Sequence, residues 1–184
     1  MLAAINKFQK FEDILMLRIS HIFGESDYKS FLIFRKIFIV ITRLGDGQLY
    51  PIVTIFLITY SKFELNFLLT LLPAYLIERI VYYLLKNLTK RIRPFEKLKI
   101  NNQPILPPDK YSFPSGHTSA AFLFATLTSI FFPAFTSFVF IFAFLVGISR
   151  IILNLHYPTD VLIGSQLGMS IGIISFKLMQ NLLI

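Results

Sequence analysis

The sequence predicts an all-α integral membrane protein, a helical bundle of five to six transmembrane helices with N-terminal amphipathic interfacial helices. Hydrophobic residues make up 55% of the 184 positions, with 21 Phe and a mean hydropathy of +0.67. That exceeds the roughly 45–50% apolar share of ordinary soluble domains. The apolar residues gather into runs of crossing or near-crossing length, each bounded by charged or turn-forming residues. The N-terminal segment differs: its charges recur at helical spacing among apolar positions, the pattern of a helix lying on a membrane.

In order along the chain, residues 1–23 alternate Ile5, Phe8, Phe11, Leu15, Ile19 and Ile22 with Lys7, Lys10, Glu12, Asp13 and Arg18. This predicts an interfacial helix with its charged face in water. Gly24 to Lys29 is a polar break. Residues 30–44 are apolar, yet Lys29, Lys36 and Arg43 recur every seven residues with Arg35 beside them, which again favours an interfacial helix. Gly45-Asp46-Gly47 is a turn, and Asp46 reads as a turn residue. Spans follow at 48–61, 65–85, 116–132, 134–150 and 159–180. The first is shorter than the ~20 residues of a full crossing. The second carries Glu78 and Arg79, expected to pair inside the bundle. The last carries Gly164, Gly168 and Gly172, a stripe that lets another helix approach closely. Residues 1–184 read as one domain, with 1–44 interfacial and 45–184 forming the core and its site.

Composition excludes several function classes. With no cysteine there are no disulfides and no thiolate metal or redox centre. The net charge of +8 points to anionic headgroups or an anionic substrate, and no nucleic-acid motif is present. No removable signal peptide is expected, because no small-residue cleavage site follows an apolar core.

Three polar clusters interrupt the apolar chain: Lys86 with Arg93-Pro94, then Pro114-Ser115-Gly116-His117, then Ser149-Arg150 with His156 and Asp160. If the five spans cross in turn, all three clusters fall on one membrane face, and a sixth span at 30–44 leaves that unchanged. Ionisable groups are costly near lipid and are retained where they act. Lys86 and Arg93 are two helical turns apart and would share a face if the second span ran on past the surface. Arg93 offers a planar fork for two phosphate oxygens and Lys86 a point charge. Ser115 and Gly116 lead into a helix N-terminus, where free N–H groups favour an anion. Arg150 would stabilise charge building on a transferring phosphoryl group. Asp160, four residues after His156, can reach one imidazole nitrogen while the other attacks phosphorus. His117, with no carboxylate near it in sequence, suits a general acid. The two histidines and Asp160 could instead bind zinc or iron, but three neighbouring cations would repel a metal, so none is expected.

These residues resemble the type 2 phosphatidic acid phosphatase superfamily, the lipid phosphate phosphatases. The family signature is Lys-x6-Arg-Pro, Pro-Ser-Gly-His and Ser-Arg-x5-His-x3-Asp, and every signature position is present between residues 86 and 160. The resemblance implies an all-helical membrane fold and hydrolysis of a lipid phosphomonoester or pyrophosphate through a phosphohistidine, without a cofactor. It also implies His156 as nucleophile, Asp160 as its partner and His117 as acid. Lys86, Arg93, Ser115, Gly116 and Arg150 would form the phosphate pocket.

Other charged and aromatic residues carry blander expectations. Lys90 and Arg91 read as headgroup anchors, and Tyr82, Tyr83 and Tyr111 as interfacial belt residues. The expected partner is a lipid presented by the bilayer, entering laterally between helices. Candidates are lipid A 1-phosphate, undecaprenyl pyrophosphate, phosphatidylglycerol phosphate and phosphatidic acid, and basic segments 29–43 and 86–99 favour a multiply anionic headgroup. A phosphotransferase using the same histidine, or a non-catalytic protein binding anionic lipids, are the rival classes. Fifteen of 18 basic residues fall on the site's side of the membrane, where positive-inside statistics would place cytoplasm. Three of them belong to the signature, and many bacterial members face outward. We therefore expect a bacterial inner-membrane protein with its site at the outer, periplasmic face.

Overall fold

The computed structural model describes residues 2–24, 29–61, 65–100, 105–107 and 109–183. It is an all-α bundle: α1 (Leu2–Gly24), α2 (Lys29–Leu44), α3 (Leu49–Tyr60), α4 (Leu65–Thr89), the single turn α5 (Pro94–Lys97), α6 (Gly116–Phe131), α7 (Thr136–Ile152) and α8 (Pro158–Leu183). A 3-10 turn at Pro133–Phe135 reverses the chain into α7. The polar break expected at 24–29 lies mostly outside the described residues.

Among the described residues, three segments are long and apolar enough to cross a membrane: Leu65–Thr89, Pro133–Ile152 and Pro158–Leu182. Leu49–Tyr60 is a shorter apolar helix. The span expected at 116–132 is the 16-residue α6, and it is the hub of the bundle: eleven of its residues are buried, including Thr118, Ser119, Thr126 and Thr128. Its hydroxyls therefore face neighbouring helices, and lipid is met mainly by the helices around it.

The glycine stripe of α8 explains why α6 and α8 can pack so closely. A Cβ on Gly164 would stand 2.6 Å from the Ser115 carbonyl oxygen, and one on Gly168 2.1 Å from that of Ser119. A Cβ on Gly172 would meet the Thr126 methyl at 3.1 Å. Backbone therefore lies against backbone along the seam. Aromatic residues close the far end, where Phe67 meets Phe131 and Phe132 edge-on at 5.5 and 5.1 Å.

The amphipathic segments are helices, but α1 does not present all its charges to water. Glu12, Met16 and Ser20 recur one turn apart and are buried, whereas Phe8, Phe11, Ile14 and Leu17 point outward. Glu12 is only 2% exposed, which corrects the expectation of a solvated charged face. The expected Glu78–Arg79 pair is also absent among the described residues. Glu78 is buried with both carboxylate oxygens unpartnered, while Arg79 turns outward over the rings of Tyr82 and Tyr83. Successive residues on a helix diverge by about 100°, so neighbours in sequence face apart.

Candidate active site

α4 ends at Thr89, sooner than the shared-face expectation required. Lys90 takes a left-handed conformation (φ 48°) and Arg93 is extended (φ −70°, ψ 151°), with Pro94 opening α5. Lys86 and Arg93 therefore meet because the chain turns back, and they do not lie on one continuous helix. Both are buried and both bind the Asp109 carboxylate from the loop before α6. Tyr82, read as a belt residue, is buried: its hydroxyl donates to Asp109 and accepts from Lys86 Nζ at 2.5 Å. Arg93 also donates to the Leu155 carbonyl at 2.8 Å and lies 3.2 Å from His156 Nε2.

The remaining residues expected to grip phosphate come from helix ends. Ser115 is the residue before α6, buried, with Oγ 2.8 Å from Thr118 Oγ1. The N–H groups of Gly116, His117 and Thr118 precede the first intrahelical bond, which Ser119 makes to Ser115. Arg150, in the last turn of α7, is held by Thr42 of α2 at 2.7 Å, and its Nε has no partner.

The two histidines have separate carboxylates. His156 is 1% exposed. Its Nε2 faces Arg93 and its Nδ1 lies 3.7 Å from Asp160 Oδ2. That is within ion-pair reach but too long for a hydrogen bond, so the expected contact is close and unmade. Asp160 instead accepts from the Tyr157 N–H at 2.8 Å and from Arg91 at 2.6 Å. His117, which has no carboxylate nearby in sequence, has one in space: Nε2 is 2.6 Å from Asp46 Oδ1. Asp46 does sit in the turn before α3, as read, and from there it reaches the second histidine.

A cavity of about 600 Å³ joins these groups. Arg93, Gly116, His117, Arg150 and His156 line its polar end; Lys86, Ser115 and Asp160 stand outside the lining, Lys86 one step behind Asp109. The other end runs between α3 and α4 past Ile55, Leu68 and Leu72. A family model, PAP2 superfamily, matches residues 67–184.

The chain belongs to the PAP2 superfamily.

Among relatives of this PAP2 chain, decaprenylphosphoryl-5-phosphoribose phosphatase of Mycobacterium tuberculosis is 35% identical over 95 residues, 50% of this chain and 49% of that protein. Lipid A 1-phosphatase of Porphyromonas gingivalis is 40% identical over 65 residues, 33% of this chain and 15% of that protein. The crystal structure of Aquifex aeolicus LpxE superposes with a TM-score of 0.68 at 28% identity, covering 88% of this chain and 94% of that one. The matches span about half or less of the length of the curated relatives.

The electrostatics of this PAP2 site follow from burying cations together. Burial, then the charges of Arg93, Arg150 and Lys86, push His156 well below the usual imidazole range, so the neutral ring is favoured and one of its nitrogens carries a lone pair. Burial pushes Asp109 up, but hydrogen bonds from Lys86 and Tyr82 and the Arg93 charge outweigh it and hold it well below the usual carboxylate range. The hydrogen bond to His117 chiefly lowers Asp46 against its partial burial. Asp46, Asp109 and Arg91 are the site's neighbours that sequence spacing missed. Only the Asp109 interval was open to inspection, as an acid a few residues before Pro-Ser-Gly-His.

Proposed function

We propose that the protein is a membrane lipid phosphatase that hydrolyses a terminal phosphate from a lipid phosphate or pyrophosphate through a phosphohistidine on His156. The carrying observation is that the buried His156 Nε2 lies 3.2 Å from Arg93 at the polar end of a cavity, also lined by Arg150 and His117, whose other end is apolar and lies between helices. Ile55 and Leu72 line that cavity yet are 66% and 61% exposed on the bundle's outside. An acyl or prenyl chain can therefore stay in the bilayer while its phosphate reaches the cations.

In the first step the His156 Nε2 lone pair attacks phosphorus and the bond to the lipid oxygen breaks. His117 gives its proton to that leaving oxygen, with Asp46 holding the imidazole. Asp160 steadies the positive charge on the phosphorylated ring across the short gap to Nδ1. Arg93, Arg150, Lys86, Ser115 and the Gly116 backbone carry the charge on the phosphoryl oxygens. Water then attacks the phosphohistidine, His117 takes its proton, and inorganic phosphate leaves. Asp109 occupies the Lys86 and Arg93 contacts beforehand, so an incoming phosphate displaces one carboxylate and replaces it with a more highly charged group.

Lipid A 1-phosphate, undecaprenyl pyrophosphate, phosphatidylglycerol phosphate and phosphatidic acid fit this chemistry. Segment 86–99 has fewer cations free for a headgroup than its composition implies, since Lys86, Arg91, Arg93 and Lys97 each bind a carboxylate of this chain. The preference thus rests on the cavity and its immediate rim. We place the protein in a bacterial inner membrane with the site facing outward. Phosphate release from a panel of these lipids in detergent, with chelator present, tests the reading. Release that disappears with chelator would remove the metal-free mechanism, and release only when an acceptor lipid is added would make the protein a transferase.

A further inference from the structure

Arg91 is the least expected participant at the site. The turn at Lys90 takes it off α4, and the Ser112 N–H bonds its carbonyl at 2.8 Å, fixing its backbone against the loop that leads into α6. Its guanidinium then joins two carboxylates from opposite ends of the sequence. One nitrogen donates to Asp160 Oδ1 at 2.6 Å and to Thr159 Oγ1 at 2.7 Å; the other donates to Glu12 Oε2 at 2.6 Å. The second Glu12 oxygen accepts from the Thr159 N–H at 3.0 Å and its hydroxyl at 2.8 Å, at the N-terminus of α8. The guanidinium plane lies 4.0 Å over the Tyr157 ring, whose hydroxyl bonds Asp13 of the same α1. Both carboxylates that Arg91 joins are buried.

This arrangement has more structure than packing alone requires. Two buried carboxylates side by side would repel, and an isolated buried charge is costly. Arg91 meets both with a rigid fork, which a lysine cannot imitate because its ammonium is a single point charge. Asp160 is held at both oxygens: the Tyr157 N–H donates to Oδ2, and Arg91 donates to Oδ1. With both oxygens fixed, the carboxylate cannot rotate away from His156 Nδ1. Glu12 in turn neutralises the far side of Arg91. It lies on α1, outside the residues that match the family model.

We propose that Arg91, anchored by Glu12 of α1, is a positioning residue for the reaction: it fixes the Asp160 carboxylate against His156, so the interfacial helix completes the active site. The inference rests on the phosphatase reading above. Arg91→Ala should lower kcat about 10- to 100-fold, the range seen when a partner orienting a functional ligand is removed, with KM changed less than about twofold. Arg91→Lys should fall between wild type and Arg91→Ala, and Glu12→Gln should lower kcat in the same direction. In an Asp160→Asn background, where there is no carboxylate to orient, Arg91→Ala should cost nothing further.

The test measures phosphate release by the protein in detergent with short-chain phosphatidic acid and the other candidate lipids, comparing wild type, Arg91→Lys, Arg91→Ala, Glu12→Gln, Asp160→Asn and the Arg91→Ala/Asp160→Asn double variant. Thermal unfolding of each confirms that it is folded. Should Arg91→Ala fail to fold, Arg91→Lys and Glu12→Gln carry the result. Unchanged kcat in those two, or a loss that multiplies fully in the Asp160→Asn background, overturns the positioning role while leaving the phosphatase reading intact. Wild type that releases no phosphate from any lipid overturns both.

Discussion

At the scale of single residues, the two histidines are set apart by their surroundings. His156 is buried among cations, so replacing it with Ala removes the proposed attacking atom, and phosphate release should fall to the background rate. His117→Ala should cost about 10²–10⁴-fold, the usual yield of general acid catalysis, and substrates with a better leaving oxygen should recover much of it. Asp46→Asn keeps the shape but loses the charge that holds His117, so kcat should drop while KM stays near wild type. Asp109→Asn should do the reverse and lower KM, because the substrate phosphate no longer competes with an internal carboxylate for Lys86 and Arg93. Steady-state kinetics on one lipid separates these outcomes. His156 also predicts a pH dependence of stability. Its folded pKa lies below its unfolded value of ~6.5, so the unfolded chain binds the proton first as pH falls. Stability should therefore decline below about pH 6.5 by at most about 1.4 kcal/mol per pH unit for this group. Thermal unfolding of His156→Asn across the same range should show a shallower slope. The signature residues were legible in the sequence because each cluster is local. Glu12, Asp46 and Thr42 were not, because their partners lie 79, 71 and 108 residues away, and no spacing rule links such positions.

At the scale of elements, the packing of α8 on α6 decides whether the site assembles, since His117 opens one helix and Asp160 the other. The glycine stripe was legible, and its partner helix was not. Gly168→Ala places a Cβ 2.1 Å from backbone that cannot yield, whereas Gly172→Ala meets the end of a side chain at 3.1 Å. Overpacking of a close seam costs about 1–3 kcal/mol or more. Gly168→Ala should therefore lower the unfolding temperature far more than Gly172→Ala, and take activity with it. Helix boundaries were read to within a few residues, except at the end of α4. There, the run of charges after Lys86 looked like a helix emerging from the membrane, and the left-handed Lys90 ended it. The sequence's amphipathic period in α1 was correct, but it could not tell a carboxylate in water from one buried against Arg91.

At the scale of the whole molecule, alternating helices bring chain segments from α1 to α8 to one end of the bundle. Alternation alone was enough to foresee that convergence, because it needs only the order of the spans. Which side of the membrane that end faces depends on insertion. A reporter fused after residue 184 should be active in the cytoplasm if the site faces outward, and periplasmic activity there would reverse the assignment. The central claim is covalent chemistry at His156, and its most direct measurement is rapid acid-free quenching of the detergent-solubilised protein during turnover of a lipid labelled with ³²P on its terminal phosphate. The account predicts an alkali-stable, acid-labile label on wild type that maps to His156, decays to inorganic phosphate and is absent from His156→Ala. Phosphate release by His156→Ala at the wild-type rate, or a label residing on another residue, would contradict it.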